Sequence, residues 1–451
     1  MSESNKKPMS NVKFWVLLWG LGLAGQLCWN IENQWFSNFV YAKIAPWPEV
    51  VSTMVALSAF ATAFSTFFFG TLSDRIGSRR KILWIGYILW GIFTIIFGTT
   101  EFIKADGTQN SVIVASVFVV VFDSVMSFFG SMGNDTGFNA WANDMMTDEN
   151  RGGIGAAIAT QPVICTIVGT VLGGMIVGEQ NNYMMLFIVF GVFVIAVGIL
   201  ALLFMQDSPD LKPVVKGTFW QQFASVFNFK KFFAMKELVW VNVLVMMYFI
   251  GFNCYFSYMG IYMINYLGFT ADMMGYIEGA GLVLAMALAI PATGLINKNK
   301  SPILSYLSII SSVIGCLIIY FFVGKDTVNT ASVWNPILLI GVFLVGAGYV
   351  VILQTTTVWA KQLYPEDSHG QFEGIRILFF VLFPMIAGPG IANPLINKFG
   401  FSYVEHYATG DIAGMAPNGV IFLAGAIATL FALIPLTFAT KHFNKRIKGE
   451  E

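Results

Sequence analysis

Gly70-Thr-Leu-Ser-Asp-Arg-Ile-Gly-Ser-Arg-Arg-Lys81 puts one acid and four bases into twelve residues. It lies between two predominantly apolar runs, 50–72 and 82–102. A helix needs about 20 mostly apolar residues to cross a bilayer, so each run reads as a membrane span and the charged segment as the turn between them. The rest of the chain has the same character. Of its 451 residues 56% are hydrophobic and 11% charged, with a mean hydropathy of +0.70, whereas a soluble globular protein carries about 25% charged residues.

Working outward, further apolar segments fall at 14–41, 112–141, 153–178 and 182–206. After a polar stretch, six more follow at 238–267, 271–297, 302–324, 335–362, 372–397 and 418–440. The expectation is twelve spans, all helical because hydrocarbon offers no partner to an unpaired amide. The polar start with Lys6, Lys7 and Lys13 is like that of a signal peptide, but the long apolar run from Phe14 has no small-residue cleavage site after it and reads as a retained first span. With the N-terminus inside, 21 of the 25 bases fall on the cytoplasmic side; only Lys43, Lys104, Lys325 and Lys398 fall outside. This asymmetry puts both termini in the cytoplasm, in a multi-pass protein of the plasma (inner) membrane. The 25 acids against 25 bases give no basic footprint for nucleic acid. Cys28, Cys165, Cys254 and Cys316 and the three histidines are too scattered for a disulfide framework or a metal site.

Two stretches repeat. Trp141-Ala-Asn-Asp-Met-Met-Thr-Asp-Glu-Asn-Arg-Gly152 and Trp359-Ala-Lys-Gln-Leu-Tyr-Pro-Glu-Asp-Ser-His-Gly370 match in register 218 residues apart, and Gly294-Leu-Ile-Asn-Lys-Asn-Lys300 is a shorter counterpart of the 70–81 turn. A duplicated six-span unit follows: an N-terminal bundle over 1–206, a cytoplasmic loop over 207–237 and a C-terminal bundle over 238–451. Transporters built from repeats place substrate near the midplane between the halves.

Gly70, Leu72, Asp74, Arg75, Gly77, Arg79, Arg80 and Lys81, with twelve spans and a central loop, resemble the major facilitator superfamily signature. Asp135-Thr-Gly-Phe, with Asp148 and Arg151 beyond, is similar to the glycoside–pentoside–hexuronide:cation symporters, the group of the melibiose carriers. The resemblance implies the major facilitator fold, an all-α membrane protein of two pseudo-symmetric six-helix bundles with spans 1, 4, 7 and 10 around the cavity. It also implies a cytoplasmic gate of Asp74, Arg75 and Arg79, in which Asp74 meets the N-terminus of span 11. The acidic pair of that group's sodium-coupled members is missing from Thr62–Thr66, and its span 11 lysine is absent, so the expected coupling ion is a proton. The glycines of Gly169-Thr-Val-Leu-Gly-Gly174 lack the proline of the antiporter signature, which leans away from drug export.

Polar residues inside the spans give the candidate site. On span 4, Ser124, Ser127, Ser131, Asn134, Asp135 and Asn139 project within an arc of about 140° at 3.6 residues per turn; the serines alone are ordinary helix glue. An ionised side chain at the bilayer centre costs roughly 2.5–3.5 kcal/mol, so Asp135 is read as substrate- and proton-binding, with a structural ion pair as the alternative. Asn30, Asn33 and Gln34 of span 1 offer the fixed donors and acceptors that suit a polyol, beside Trp29 and Trp35. Glu32 is a proton carrier or an inter-helix hydrogen-bonding group. Tyr255 of span 7 and Gln354 and Trp359 of span 10 complete the substrate set, although tyrosines at seven-residue spacing also suit simple packing. Arg376 either pairs with Asp135, holds substrate, or is satisfied by Glu373. Asp123 and Glu278 stay unassigned.

The reading is a secondary active transporter that moves a sugar or glycoside by alternating access with proton symport. Alternatives are a lysolipid, amphiphile or drug transporter of the same fold, or a membrane sensor that does not transport. No HExxH, GxSxG or GxxxxGK[ST] points to an enzyme, and neither metal nor cofactor is expected. The expected partners are a small-molecule substrate and the bilayer, around a monomer.

Overall fold

The computed structural model describes residues 11–103, 109–147, 149–226, 229–364, 369–407 and 410–449. Asp148 and the Glu366-Asp367 pair of the repeated motif lie outside them, as do the side chains of Arg151 and Glu373. Among the described residues twelve helices are long and apolar enough to cross a membrane: Asn11–Ile44, Pro48–Ile76, Arg79–Phe102, Asn110–Asp144, Gly153–Val177, Tyr183–Phe204, Lys236–Tyr266, Ala271–Ile296, Ser301–Phe322, Pro336–Gln362, Gly374–Phe399 and Val420–Lys448. They are spans 1 to 12.

The spans form two six-helix bundles. In the first, span 1 packs on 5, 2 on 4, and 3 on both 4 and 6; in the second, 7 packs on 11, 8 on 10, and 9 on both 10 and 12. Each contact thus has its counterpart six spans on. The halves meet through spans 1 and 7, 2 and 11, and 5 and 8, a set that a twofold axis maps onto itself. Close crossings use glycine: a methyl on Gly91 of span 3 would lie 2.4 Å from the Gly191 carbonyl oxygen of span 6, and one on Gly275 of span 8 would lie 2.7 Å from that of Thr170 in span 5.

Two prolines interrupt spans, whereas Pro162 of span 5 and Pro389 and Pro394 of span 11 lie within continuous helix. A proline cannot donate to the carbonyl four residues back. Span 8 breaks after Met286, ahead of Pro291, and span 12 breaks after Leu430, ahead of Pro435; in each case the freed carbonyl, at Ala287 or Phe431, lies in the break. Wider π-helical turns occupy Val40–Ile44, Ser131–Phe138, Tyr262–Tyr266 and Leu378–Leu382. The first and third end spans 1 and 7, which are counterparts. The second corrects the span 4 stripe, because a projection at 3.6 residues per turn does not hold through eight residues of π-helix.

One element has no forerunner in the hydropathy reading. Phe401–Tyr407 and Gly410–Ala416 form an antiparallel hairpin between spans 11 and 12, pairing Phe401 with Ala416 and Tyr407 with Gly410. It marks one face of the molecule, the hairpin face; the start of span 1 at Asn11 and the end of span 12 at Lys448 lie at the opposite face, here called the termini face. Two short helices, Phe219–Ser225 and Phe229–Ala234, occupy the central loop. Gly91→Ala should force spans 3 and 6 apart, costing about 1–3 kcal/mol and lowering the melting temperature in detergent. Gly294→Ala, where nothing lies within 4 Å, should leave it unchanged or slightly raised.

Candidate functional site

Five polar or aromatic groups predicted from sequence gather on the inner side of the first bundle. The Asn33 amide of span 1 donates to the Trp29 carbonyl at 2.7 Å. Across from it on span 4, Asn134 Nδ2 donates to Asp135 Oδ1 at 3.2 Å and Asn139 Nδ2 to the Asp135 carbonyl at 3.2 Å. Ser131, Asn134 and the Trp29 indole surround the Asp135 carboxyl, the indole N–H making no well-formed hydrogen bond. Trp29, Asn33, Asp135 and Asn139 are half-buried. Asn134 differs from its neighbour Asp135, as successive helical residues point apart, by about 100° at 3.6 residues per turn. It is fully buried towards spans 1 and 3, where the Tyr87 hydroxyl donates to its Oδ1 at 3.3 Å and Gly25 makes room for it.

Behind this group is a second acidic layer. Ser127 Oγ donates to Glu32 Oε1 at 2.7 Å, Asp123 is Glu32's electrostatic neighbour, and the other Glu32 oxygen and Asp123 Oδ1 have no hydrogen-bond partner. Both acids are buried. Of the two roles open to Glu32, inter-helix hydrogen bonding is seen directly. Asn30 leaves the group: it points into the span 1–5 seam, where Gly169 accommodates its Oδ1.

The second bundle contributes less than expected. Gln354 Nε2 donates to Thr293 Oγ1 of span 8 at 2.6 Å. Arg376 donates to Thr357 Oγ1 of span 10 at 2.7 Å and lies over Phe380 at 5.0 Å, so it stays within its own half and does not reach Asp135. Two further assignments are corrected. Tyr255 is fully buried, stacked on Phe422 of span 12 at 5.4 Å and against Gly425, so its seven-residue spacing serves packing. Trp359 is also fully buried. Its Nε1 donates to Glu237 Oε1 at 2.7 Å, and Arg446 binds the same carboxylate with Nε at 2.8 Å and Nη2 at 3.0 Å. The matching tryptophan of the first half, Trp141, donates to the Gln206 carbonyl at 2.9 Å. The repeated tryptophans are pegs at the termini face.

The gate residues are also arranged differently from the expectation. Asp74 does not meet span 11. Its carboxylate pairs with Arg79 at 2.6 Å, Arg79 Nε reaches Asp144 of span 4 at 2.8 Å, and Arg75 donates to the Gly217 carbonyl at 3.0 Å and Gln222 Oε1 at 3.1 Å. At the termini face each half therefore satisfies these charges internally. At the hairpin face the halves are tied together. Gln34 donates to Glu278 of span 8, the Tyr258 hydroxyl to the Pro48 carbonyl at 3.0 Å, and Asn393 to Ser52 at 3.1 Å. The hairpin adds Tyr41 to the Met415 carbonyl at 2.9 Å, Trp47 to that of Ala413 at 3.1 Å, and the Met415 amide to that of Pro46 at 3.1 Å. Glu278 was visible as an acid within a span. Its partner was not, because Gln34 lies 244 residues away.

A profile described as Major Facilitator Superfamily matches residues 36–389. No curated protein matches the sequence significantly. Among solved structures, a mutant of the nucleoside transporter NupG superimposes with a TM-score of 0.68 at 10% identity, covering 95% of this chain and 100% of that one. A bacterial homologue of the human lysosomal transporter Spinster, inward-facing and unoccupied, gives 0.65 at 12% identity over 98% and 99%. Its occupied form gives 0.63 at 12% over 96% and 97%. These likenesses are of fold. Trp359→Phe should remove the indole donor to Glu237, a hydrogen bond to a charged group worth about 1.5–3 kcal/mol. The melting temperature should fall while the KM for a transported substrate stays unchanged; a raised KM at constant stability would return Trp359 to the binding site.

Proposed function

The chain belongs to the Major Facilitator Superfamily, a family of transporters and not of enzymes, and on that premise we propose that it is a proton-coupled symporter for a sugar or glycoside, similar in kind to the glycoside–pentoside–hexuronide carriers. The observation that carries the proposal is the half-buried Asp135 carboxyl beside the Trp29 indole, with Asn33 bonded to the Trp29 carbonyl and Asn139 to that of Asp135. An amphipathic ring face against an indole, with amides and a carboxylate at its rim, is the chemistry a pyranose presents. Asp135 has no base beside it among the described residues, so a proton relieves the cost of holding its charge away from water. Glu32 and Asp123, each with an unpaired oxygen, form the proton's onward station, with Ser127 as the bridge.

Alternating access then follows from which contacts each face makes. With the hairpin face tied, this reading has Asp135 reached from the termini face, which the distribution of lysines and arginines puts in the cytoplasm of a plasma-membrane protein. In the opposite state Asp74 exchanges Arg79 for the N-terminus of span 11, a contact worth a fraction of a kcal/mol up to about 2, and Arg75 and Arg79 close over it. Arg376, Gln354 and Thr357 approach substrate from the second half as the bundles rock. Substrate and proton drive the exchange only by binding the two states unequally.

The test is uptake of a glycoside panel into proteoliposomes with and without an imposed proton gradient. Wild type should accumulate a glycoside only with the gradient. Asp135→Asn should lose accumulation by tenfold or more, about 1.4 kcal/mol, yet keep gradient-independent counterflow. Undiminished accumulation by the variant would remove Asp135 from coupling, and no glycoside counterflow by wild type would remove the substrate class.

A further inference from the structure

The 207–237 connection is not a free tether. Its first helix rides on the N-terminal bundle. The capping box Thr218–Gln221 starts it, Phe219 and Phe223 lie against Phe68 and Phe64 of span 2 at 5.1 and 6.2 Å, and Gln222 accepts from Arg75. The second rides on the C-terminal bundle, with Phe232 fully buried against Phe379 of span 11 at 5.6 Å. Each keeps a large apolar side chain outside its seat: Trp220 is 62% exposed and Phe233 is 61% exposed. Both helices are too short to cross a bilayer, and both start at the membrane ends of their bundles.

Charge follows the same pattern. Lys212, Lys216, Lys230 and Lys236 are exposed along this connection. Beside the second helix, between it, the start of span 7 and the end of span 12, is a crevice of about 280 Å³ lined by Met235, Lys236, Glu237, Leu363 and Arg446, among others. Its one acid is spent, because Glu237 is held by Arg446 and Trp359. Lys236 and the remaining guanidinium N–H groups are left to face an incoming group. The span 7 amides start there with no side-chain cap from Met235, and Lys445 and Lys448 continue the basic rim along span 12.

We propose that this face binds anionic phospholipid: Trp220 and Phe233 enter the headgroup layer, and the phosphate of a lipid such as phosphatidylglycerol seats in the crevice against Lys236 and Arg446. Aromatic side chains with exposed lysines are the chemistry of helices lying in the bilayer interface. The crevice has room for a phosphate diester and its attached carbons, with the acyl chains left to run down the outside of the spans. A zwitterionic headgroup brings its own cation against Lys236 and fits less well. One helix on each bundle anchors the two halves to the leaflet separately.

Full-length protein in neutral detergent, mixed with short-chain phosphatidylglycerol, short-chain phosphatidylcholine or sodium phosphate, tests the crevice by thermal shift. Phosphatidylglycerol should raise the melting temperature at concentrations where the other two do not, and added salt should shrink the effect. A base near an anionic surface contributes about 1 kcal/mol, so each of Lys236→Gln and Lys445→Gln should weaken the apparent affinity about fivefold. Equal shifts with phosphatidylcholine, an equal shift with phosphate (a free-anion site), or an unchanged affinity in the double variant would each overturn the proposal. The anchors are read independently in vesicles, where emission lost in Trp220→Phe should be quenched by brominated phosphatidylglycerol; an unquenched Trp220 would overturn the headgroup-layer placement even if the lysine variants failed to fold.

Discussion

Hydrocarbon gives an amide no partner, so each of the twelve spans must close its own hydrogen bonds, and the places where it does not are the places where the molecule is shaped. Pro291 and Pro435 free one carbonyl each, and spans 8 and 12 divide there. The π-helical turn Ser131–Phe138 holds both the fully buried Asn134 and the half-buried Asp135. A wide turn costs hydrogen-bond geometry, and this one falls in the later part of span 4, at the candidate site.

The two bundles share an architecture but not an interior. Matching span pairs hold each together, and both carry a buried tryptophan peg at the termini face. Yet three intramembrane acids, Glu32, Asp123 and Asp135, lie in the first half, while the second has the buried acid Glu278 and, near the start of span 11, the base Arg376. The charges do not meet: the acids lean on hydroxyls and amides, and Arg376 leans on Thr357 and Phe380. A buried ion pair would instead have locked the halves together, and breaking such a pair is costly.

Closure is likewise divided between the faces. At the hairpin face, backbone carbonyls of the span 1–2 connection and of the hairpin accept from side chains and amides of the other half. At the termini face Asp74, Arg79 and Asp144 satisfy one another inside one bundle, and Glu237, Arg446 and Trp359 do so inside the other. Polar groups that find partners locally leave no charge stranded there, and towards this face the halves touch through apolar contact, Phe67 of span 2 lying against Gly374 of span 11.

Span number, the duplication and the presence of polar residues inside the membrane were all legible in the linear order. Each rests on a one-dimensional property: run length against bilayer thickness, register between repeats, or the cost of an isolated charge. Direction was not legible. A stripe drawn along span 4 could not tell that Asn134 is taken up by Tyr87 and Gly25, and seven-residue spacing could not tell that Tyr255 faces span 12. Nor could it pair Gln34 with Glu278, bring the 401–416 hairpin across to Pro46, or keep Asp74 with Arg79 in its own half. Those are relations between segments hundreds of residues apart or between alternative partners of similar strength, and such choices are made only when whole helices pack and each buried group takes the nearest partner left to it.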